Sequence, residues 1–93
     1  MPRRRHSPNS LVSNVGLRIG EVRADRGLTQ AELAEKMGCS TRYIAQIEGG
    51  QNLTIETLEQ LAELLDVEVI ALFIRPTRTV VRKRGRPKKA SNE

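Results

Sequence analysis

Cysteine and histidine are almost absent from this sequence, which has one of each among 93 residues. A single cysteine cannot form an internal disulfide, and one cysteine with one histidine cannot complete a zinc site. No apolar run approaches the roughly 18 residues that span a bilayer, and residues 1–10 lack the hydrophobic stretch of a signal peptide. We therefore predict a cytoplasmic protein with no membrane partner, no metal and no cofactor. The residue types give no support for an enzyme.

Residues 29–47 contain two short helical patterns joined by a tight turn at Gly38. Thr29 followed by Glu32 is a capping box, which predicts the start of the first helix. Gly38 ends this helix because glycine readily takes the positive φ angle required there. The apolar stripe of the helix consists of Leu33, Ala34 and Met37.

The second helical pattern begins after Ser40, which is well placed as its N-cap. Ile44 and Ile47 lie three residues apart and point into the same core. Two helices that cross closely need a small residue at their contact, and Ala34 occupies that position. The outer face of the second helix consists of Thr41, Arg42, Ala45 and Gln46. Together these features predict a helix-turn-helix, the unit that lays its second helix in the major groove of DNA.

Residues 15–67 resemble the Cro/repressor (Xre-type) helix-turn-helix family. The resemblance implies that the outer face of the second helix, the recognition helix, meets the bases, and that Gln30 contacts a phosphate. It also implies an ion pair between Arg23 of helix 1 and Glu48 at the end of the recognition helix. The alternative is a plain helical hairpin that does not bind DNA.

Five further positions lie in or beside the recognition helix. In the family, loop residues after this helix often meet the DNA backbone, which implies that role for Gln51 and Asn52. Ser40 is included in the predicted interface at the start of the helix. Tyr43 either contacts a phosphate through its hydroxyl or packs at the helix edge. Cys39 is either a reactive thiol beside a helix N-terminus or a small turn residue.

Two further helices flank the motif. Helix 1 is predicted to begin at a cap on Ser13 or Asn14 and to stop at Gly27; its core stripe consists of Val15, Ile19 and Val22. Leu28 fills the gap to the next helix. After Gly49 and Gly50 end the recognition helix, a fourth helix begins at Thr54. Its core-facing stripe consists of Ile55, Leu58, Leu61, Ala62 and Leu65.

Residues 66–76 are compatible with a strand or with a short fifth helix. The segment has no side-chain cap, is rich in Val, Ile and Phe and stops at Pro76, so a strand fits better. Both faces of such a strand would be apolar, which predicts pairing with the same strand of a second copy about a two-fold axis. The helix and apolar run also resemble HipB-like antitoxins within the Xre group. The predicted dimer contact consists of Val69, Ile70, Leu72, Phe73 and Ile74.

The charges of the body and the flanks differ in sign, although the whole chain carries a net charge of +5. Residues 11–74 contain 5 bases and 10 acids, a net charge of −5, while the two flanks together carry +10. This division predicts that non-specific attraction to phosphates resides mainly in the arms, while the body reads sequence. The N-terminal arm is predicted to be disordered, and either wraps DNA or only increases solubility.

The C-terminal flank contains a short motif that resembles an AT-hook. Glycine and proline hold a narrow extended backbone that fits a minor groove, and the arginines point along the groove floor, where A·T tracts concentrate negative potential. The alternatives are a generic phosphate-binding tail or a nuclear localisation sequence. The motif residues are Arg84, Gly85, Arg86, Pro87 and Lys88.

The sequence therefore predicts an all-α bundle of four helices followed by a short dimerising strand or fifth helix. Three segments are expected: a basic arm at 1–12, the helix-turn-helix and dimerisation domain at 13–76, and a basic tail at 77–93. A chain of 93 residues holds one small domain of marginal stability, which dimerisation would increase. We expect a nucleoid-associated homodimeric repressor that binds a palindromic site in double-stranded DNA. The alternative functions are an antitoxin that holds a toxin protein, and a non-specific architectural protein.

Overall fold

The computed structural model describes residues 10–77, which form four α-helices and a short 3₁₀ helix, with no strand among them. This confirms the predicted all-α class and the order of the four helices. The elements are α1 (Leu11–Asp25), α2 (Gln30–Met37), α3 (Thr41–Glu48), α4 (Ile55–Leu65) and the 3₁₀ helix (Val69–Phe73).

A side-chain oxygen caps the start of every α-helix in this part of the chain. Thr29 and Glu32 form the predicted capping box of α2, and the predicted caps Ser40 and Thr54 start α3 and α4. The predicted cap of α1 was wrong, because Ser10 accepts from the Ser13 backbone N–H at 3.1 Å and the helix begins at Leu11. The apolar stripe of α1 starts one turn inside the helix, so its first core residue does not mark the helix start.

The helix-turn-helix turn has the predicted geometry. Gly38 takes a φ angle of 76°, and the backbone N–H of Cys39 donates to Ala34 O at 3.0 Å. A left-handed residue followed by this hydrogen bond is the usual way to end a helix and reverse the chain. The turn therefore fixes the angle at which α3 leaves α2.

One core unites the five helices. Ile44 and Ile47 of α3 are both completely buried, as predicted, and Leu28 packs at the edge of the core. Ile55 was expected to face the core but is 73% exposed, because it is the first residue of α4 and lies outside the packed face. The buried apolar residues are Val15, Ile19, Val22, Leu33, Ala34, Ile44, Ile47, Leu58, Leu61, Ala62, Leu65 and Leu72.

Helix α1 approaches the C-terminal end of α3 at Gly16. A Cβ atom at Gly16 would lie 2.7 Å from Ile47 O and 2.9 Å from Glu48 O, both of which are backbone atoms. Glycine is needed here because no other residue leaves room for the two backbones. This contact holds the end of the recognition helix against α1.

The segment after α4 is a 3₁₀ helix, so the preferred interpretation as a strand was wrong. Its Leu72 is completely buried and Val69, three residues earlier, packs against the same core. The guanidinium Nε of Arg18 donates to Ala71 O at 2.8 Å. A spacing of three residues suits a single helical turn that packs on α1 and α4, and the described chain offers no strand with which the segment could pair.

Candidate nucleic-acid interface

The outer face of α3 is a polar surface supported by a completely buried inner face. The four predicted base-facing residues are all exposed, while Ile44 and Ile47 of the same helix are 0% exposed. The buried isoleucines fix the rotation of α3 about its own axis, so the outer face is held towards solvent in one orientation. The exposed residues are Thr41, Arg42, Ala45 and Gln46.

The first turn of α3 is held by its cap. Ser40 Oγ accepts from the Tyr43 backbone N–H at 3.0 Å, so its hydroxyl oxygen has a structural role. Tyr43 is half-buried and packs against the core, which agrees with the helix-edge interpretation. A phosphate contact by its hydroxyl stays a prediction.

The C-terminal end of α3 carries the predicted ion pair. Arg23 Nε donates to Glu48 Oε2 at 2.6 Å and Arg23 Nη2 donates to Glu48 Oε1 at 3.1 Å, with side chains 18% and 12% exposed. Arg23 Nη1 also donates to Leu28 O at 2.7 Å. The guanidinium therefore joins α1, the loop before α2 and the end of α3, and such a fork against a carboxylate is among the stronger polar contacts in proteins.

Gln30 belongs to the same network, which was not anticipated. Its Nε2 donates to Glu48 Oε1 at 2.9 Å, so the side chain at the start of α2 is oriented by the end of α3. A carboxamide nitrogen has a second N–H, which can donate to a phosphate while the first donates to Glu48. Glu48 therefore links the candidate phosphate contact to the position of the recognition helix.

The loop between α3 and α4 contains the two predicted backbone-contacting residues. Gln51 is half-buried and Asn52 is exposed. Both line a cavity of about 170 Å³ whose other walls include Leu11 of α1 and Phe73 of the 3₁₀ helix. The loop is thus close to the surface predicted for dimerisation.

The five residues predicted to form the dimer contact divide into two groups. Ile70, Phe73 and Ile74 are 74%, 43% and 53% exposed. Leu72 is completely buried and Val69 is half-buried against the core of their own chain. The prediction that Leu72 meets a partner is therefore wrong, because its side chain is part of the monomer's core.

Two charged residues of α1 were missed by the sequence reasoning. Glu21 is 3% exposed and pairs with Arg18 Nη1 at 3.0 Å. Its Oε2 accepts from the backbone N–H of Thr77 at 2.8 Å and also from the Thr77 hydroxyl. Opposite charges three residues apart on a helix were the available signal, but the spacing alone does not show that the pair is buried.

The predicted AT-hook belongs to the C-terminal tail, beyond the residues that the structure describes. Arg84, Gly85, Arg86, Pro87 and Lys88 lie outside residues 10–77. Within those residues no cluster of three or more His, Cys, Asp or Glu side chains is placed to hold a metal ion. None of the described helices combines the length and apolarity that a membrane crossing requires.

A polar helix face, supported by a buried face and positioned after a tight turn, defines a helix-turn-helix domain. The family model described as helix-turn-helix matches residues 19–72, and the chain belongs to that family. A separate model, the AT hook motif, matches residues 81–93. These matches confirm the resemblances to the Xre-type helix-turn-helix family and to the AT-hook.

The chain is similar to proteins described as a repressor and as a transcriptional regulator. The immunity repressor protein of Bacillus phage phi105 is 44% identical over 59 residues, 62% of this chain and 41% of that protein. The regulator SinR of Bacillus subtilis is 38% identical over 61 residues, 63% of this chain and 55% of SinR. The chain thus spans about half the length of these relatives, so the similarity covers only part of each of them.

Solved structures show the same fold. The restriction-modification controller protein C.AhdI from Aeromonas hydrophila has a TM-score of 0.63 and 33% identity, covering 67% of this chain and 96% of that one. SinR in complex with DNA has a TM-score of 0.58 and 38% identity, covering 62% of this chain and 95% of that chain. Both structures are more than 30% identical to this chain and align with about two thirds of it.

Proposed function

We propose that the protein is a sequence-specific DNA-binding repressor that acts as a homodimer on a palindromic operator. The observation that carries this proposal is the exposed outer face of α3 above the buried Ile44 and Ile47. An α-helix fits the major groove, where each base pair presents a different pattern of donors and acceptors. A rigid helix with free polar side chains is the element that reads this pattern.

Two side chains of α3 have the chemistry to discriminate between bases. The guanidinium of Arg42 can donate two hydrogen bonds to O6 and N7 of a guanine, and the carboxamide of Gln46 can pair with N6 and N7 of an adenine. Each such pair contributes about 1–3 kcal/mol of discrimination. Thr41 and Ala45 supply methyl groups that suit the methyl group of a thymine.

Other residues position the protein on the backbone without reading sequence. We assign this role to Gln30, which is oriented by Glu48, and to the loop residues Gln51 and Asn52. The basic flanks at 1–12 and 77–93 add phosphate attraction that falls with salt. The AT-hook segment adds minor-groove contacts in A·T tracts.

The homodimer proposal is supported by the apolar surface of the 3₁₀ helix. Ile70, Phe73 and Ile74 expose 74%, 43% and 53% of their area on a chain that is otherwise rich in charge. Exposed apolar side chains grouped on one element mark an interaction surface. A two-fold axis through this surface would give the two recognition helices the symmetry of a palindrome.

The described relatives favour the repressor over the alternative functions. The phage relative is an immunity repressor, C.AhdI is a controller protein, and SinR has been crystallised in complex with DNA. None of these three proteins is described as an antitoxin, so the comparisons do not favour that alternative. The proposal places the protein on the nucleoid, where it acts by occupying DNA.

The test uses the DNA site selected by the full chain from a random pool. Arg42→Ala and Gln46→Ala should each relax the preference at particular base pairs by about five- to 150-fold. Gln60→Ala is the matched control, since Gln60 is an exposed glutamine on α4. If binding falls equally on all sequences, or if Gln60→Ala has the same effect, α3 does not read bases.

A further inference from the structure

The chain that follows the 3₁₀ helix is tied back to α1 by a buried carboxylate. Glu21 is the only charged residue below 9% exposure within residues 10–77. It accepts from both the backbone N–H and the hydroxyl of Thr77, and Arg18 holds it from the other side at 3.0 Å. Arg18 also donates to Ala71 O. In this anchor, formed by Arg18, Glu21 and Thr77, the Glu21 carboxylate is buried while Thr77 is exposed. Breaking the two Thr77 bonds would leave a buried carboxylate oxygen without those donors, which is costly.

The anchor lies close to the recognition helix. Gly20 and Glu21 are consecutive residues on different sides of α1: Gly20 faces the Glu48 side chain at the end of α3, and Glu21 faces Thr77. Glu48 and Thr77 therefore lie against neighbouring positions on the same turn of α1.

The AT-hook segment begins a short distance after the anchor. Arg84 lies seven positions after Thr77 in the sequence, and a fully extended chain spans at most about 3.3–3.6 Å per residue. The first hook arginine can therefore reach about 25 Å from the anchor, or about seven base pairs at 3.4 Å per step. A tail attached only at the buried Leu72 would reach about 42 Å, or about twelve base pairs.

We propose that the anchor of Arg18, Glu21 and Thr77 fixes the distance between two DNA elements. The first is the half-site read by α3, and the second is an A·T tract whose minor groove receives Arg84 and Arg86. The operator therefore carries its A·T tract within a restricted interval of the half-site. This inference rests on the proposed function and deepens it. Three residues that do not themselves contact DNA would determine the spacing of elements in the operator.

The experiment measures affinity as a function of spacing. Full-length protein is titrated against duplexes in which a short A·T tract is moved outward from the half-site, one base pair at a time, through G·C-rich flanks. We expect the tract to tighten binding about tenfold at short spacings, since linked sites raise the effective concentration of the second contact. The gain in affinity should be lost beyond a limiting spacing between the half-site and the A·T tract. This limit, called the edge, is set by the length of chain between the anchor and Arg84.

Two variants release the anchor, and one control preserves it. Thr77→Val removes the hydroxyl donor and Glu21→Leu removes the carboxylate that accepts both Thr77 bonds. Together they should move the edge outward by about five base pairs. Thr77→Ser retains the hydroxyl and should leave the edge unchanged. Equal affinity of all variants for a half-site with G·C-only flanks shows that the body is still folded.

Two results would overturn the inference. A gain that is the same at every spacing shows that no anchor limits the tail, and an edge that does not move in the double variant shows that Glu21 and Thr77 do not set it. In either case the preference for the half-site would persist. Loss of half-site preference in the wild-type protein would instead refute the proposed function.

Discussion

Replacing Gly16 by alanine should weaken the bundle at the contact that holds the recognition helix. The added Cβ would lie 2.7 Å from Ile47 O, 2.9 Å from Glu48 O and 2.9 Å from Gly50 N. All three are backbone atoms, which cannot turn aside as a side chain can. Ordinary van der Waals contact begins near 3.5 Å, so α1 and the end of α3 must separate by several tenths of an ångström.

The expected magnitude follows from two opposing effects. Alanine is favoured over glycine inside a helix by about 0.5–1 kcal/mol. Forcing backbones apart in a packed core costs about 1–3 kcal/mol. The difference is a loss of up to about 2.5 kcal/mol. Since three backbone atoms must move, we expect Gly16→Ala to lower the free energy of unfolding by about 1–2 kcal/mol, which for a domain of this size lowers Tm by roughly 4–15 °C.

Gly20→Ala is the matched control on the same face of α1. Its Cβ would meet the Glu48 side chain, with the nearest atom, Oε1, at 3.0 Å, and a side chain can shift more readily than backbone. Urea unfolding followed by circular dichroism should separate the two variants by at least about 1 kcal/mol. If Gly16→Ala is as stable as Gly20→Ala, the close approach of α1 and α3 does not exist in solution.

Three further predictions address other parts of the molecule. Glu48→Ala leaves Arg23 with only the Leu28 carbonyl and should cost about 2–3 kcal/mol in urea unfolding, below the range for fully buried pairs; a loss under about 0.5 kcal/mol would refute the network. Ile70→Glu should give a folded monomer in sedimentation, because Ile70 is 74% exposed, whereas a persistent dimer would remove this surface from the interface. Truncation after Arg78 should flatten the slope of log affinity against log salt by nearly three units if three phosphate contacts are lost, and an unchanged slope would exclude the tail from binding.

The local features of the motif were readable from the sequence because each is set by neighbouring residues. The capping box at Thr29, the glycine turn at Gly38 and the cap at Ser40 depend on three or four consecutive positions. The inner and outer faces of α3 follow from helical periodicity, which Ile44 and Ile47 define without further information. The pairing of Arg23 with Glu48 required knowledge of a family, since the two residues lie 25 positions apart in the sequence.

The segment after α4 was misassigned because its conformation depends on distant residues. Its Val, Ile and Phe content favours a strand, but Leu72 and Val69 pack on the bundle and Arg18 binds the Ala71 carbonyl. Tertiary contacts of this kind override local propensity. The contact at Gly16 was also missed, although glycines four residues apart at 16 and 20 mark one face of α1 as able to approach another backbone.

The most direct measurement of the central claim is selection of bound duplexes from a random pool by the full-length protein, followed by sequencing. We expect enrichment of a palindrome whose half-sites lie about one helical turn apart, with guanine or adenine fixed at the positions opposite Arg42 and Gln46. Enrichment of A·T-rich DNA without any half-site, or of no sequence at all, would contradict the proposal that α3 reads an operator.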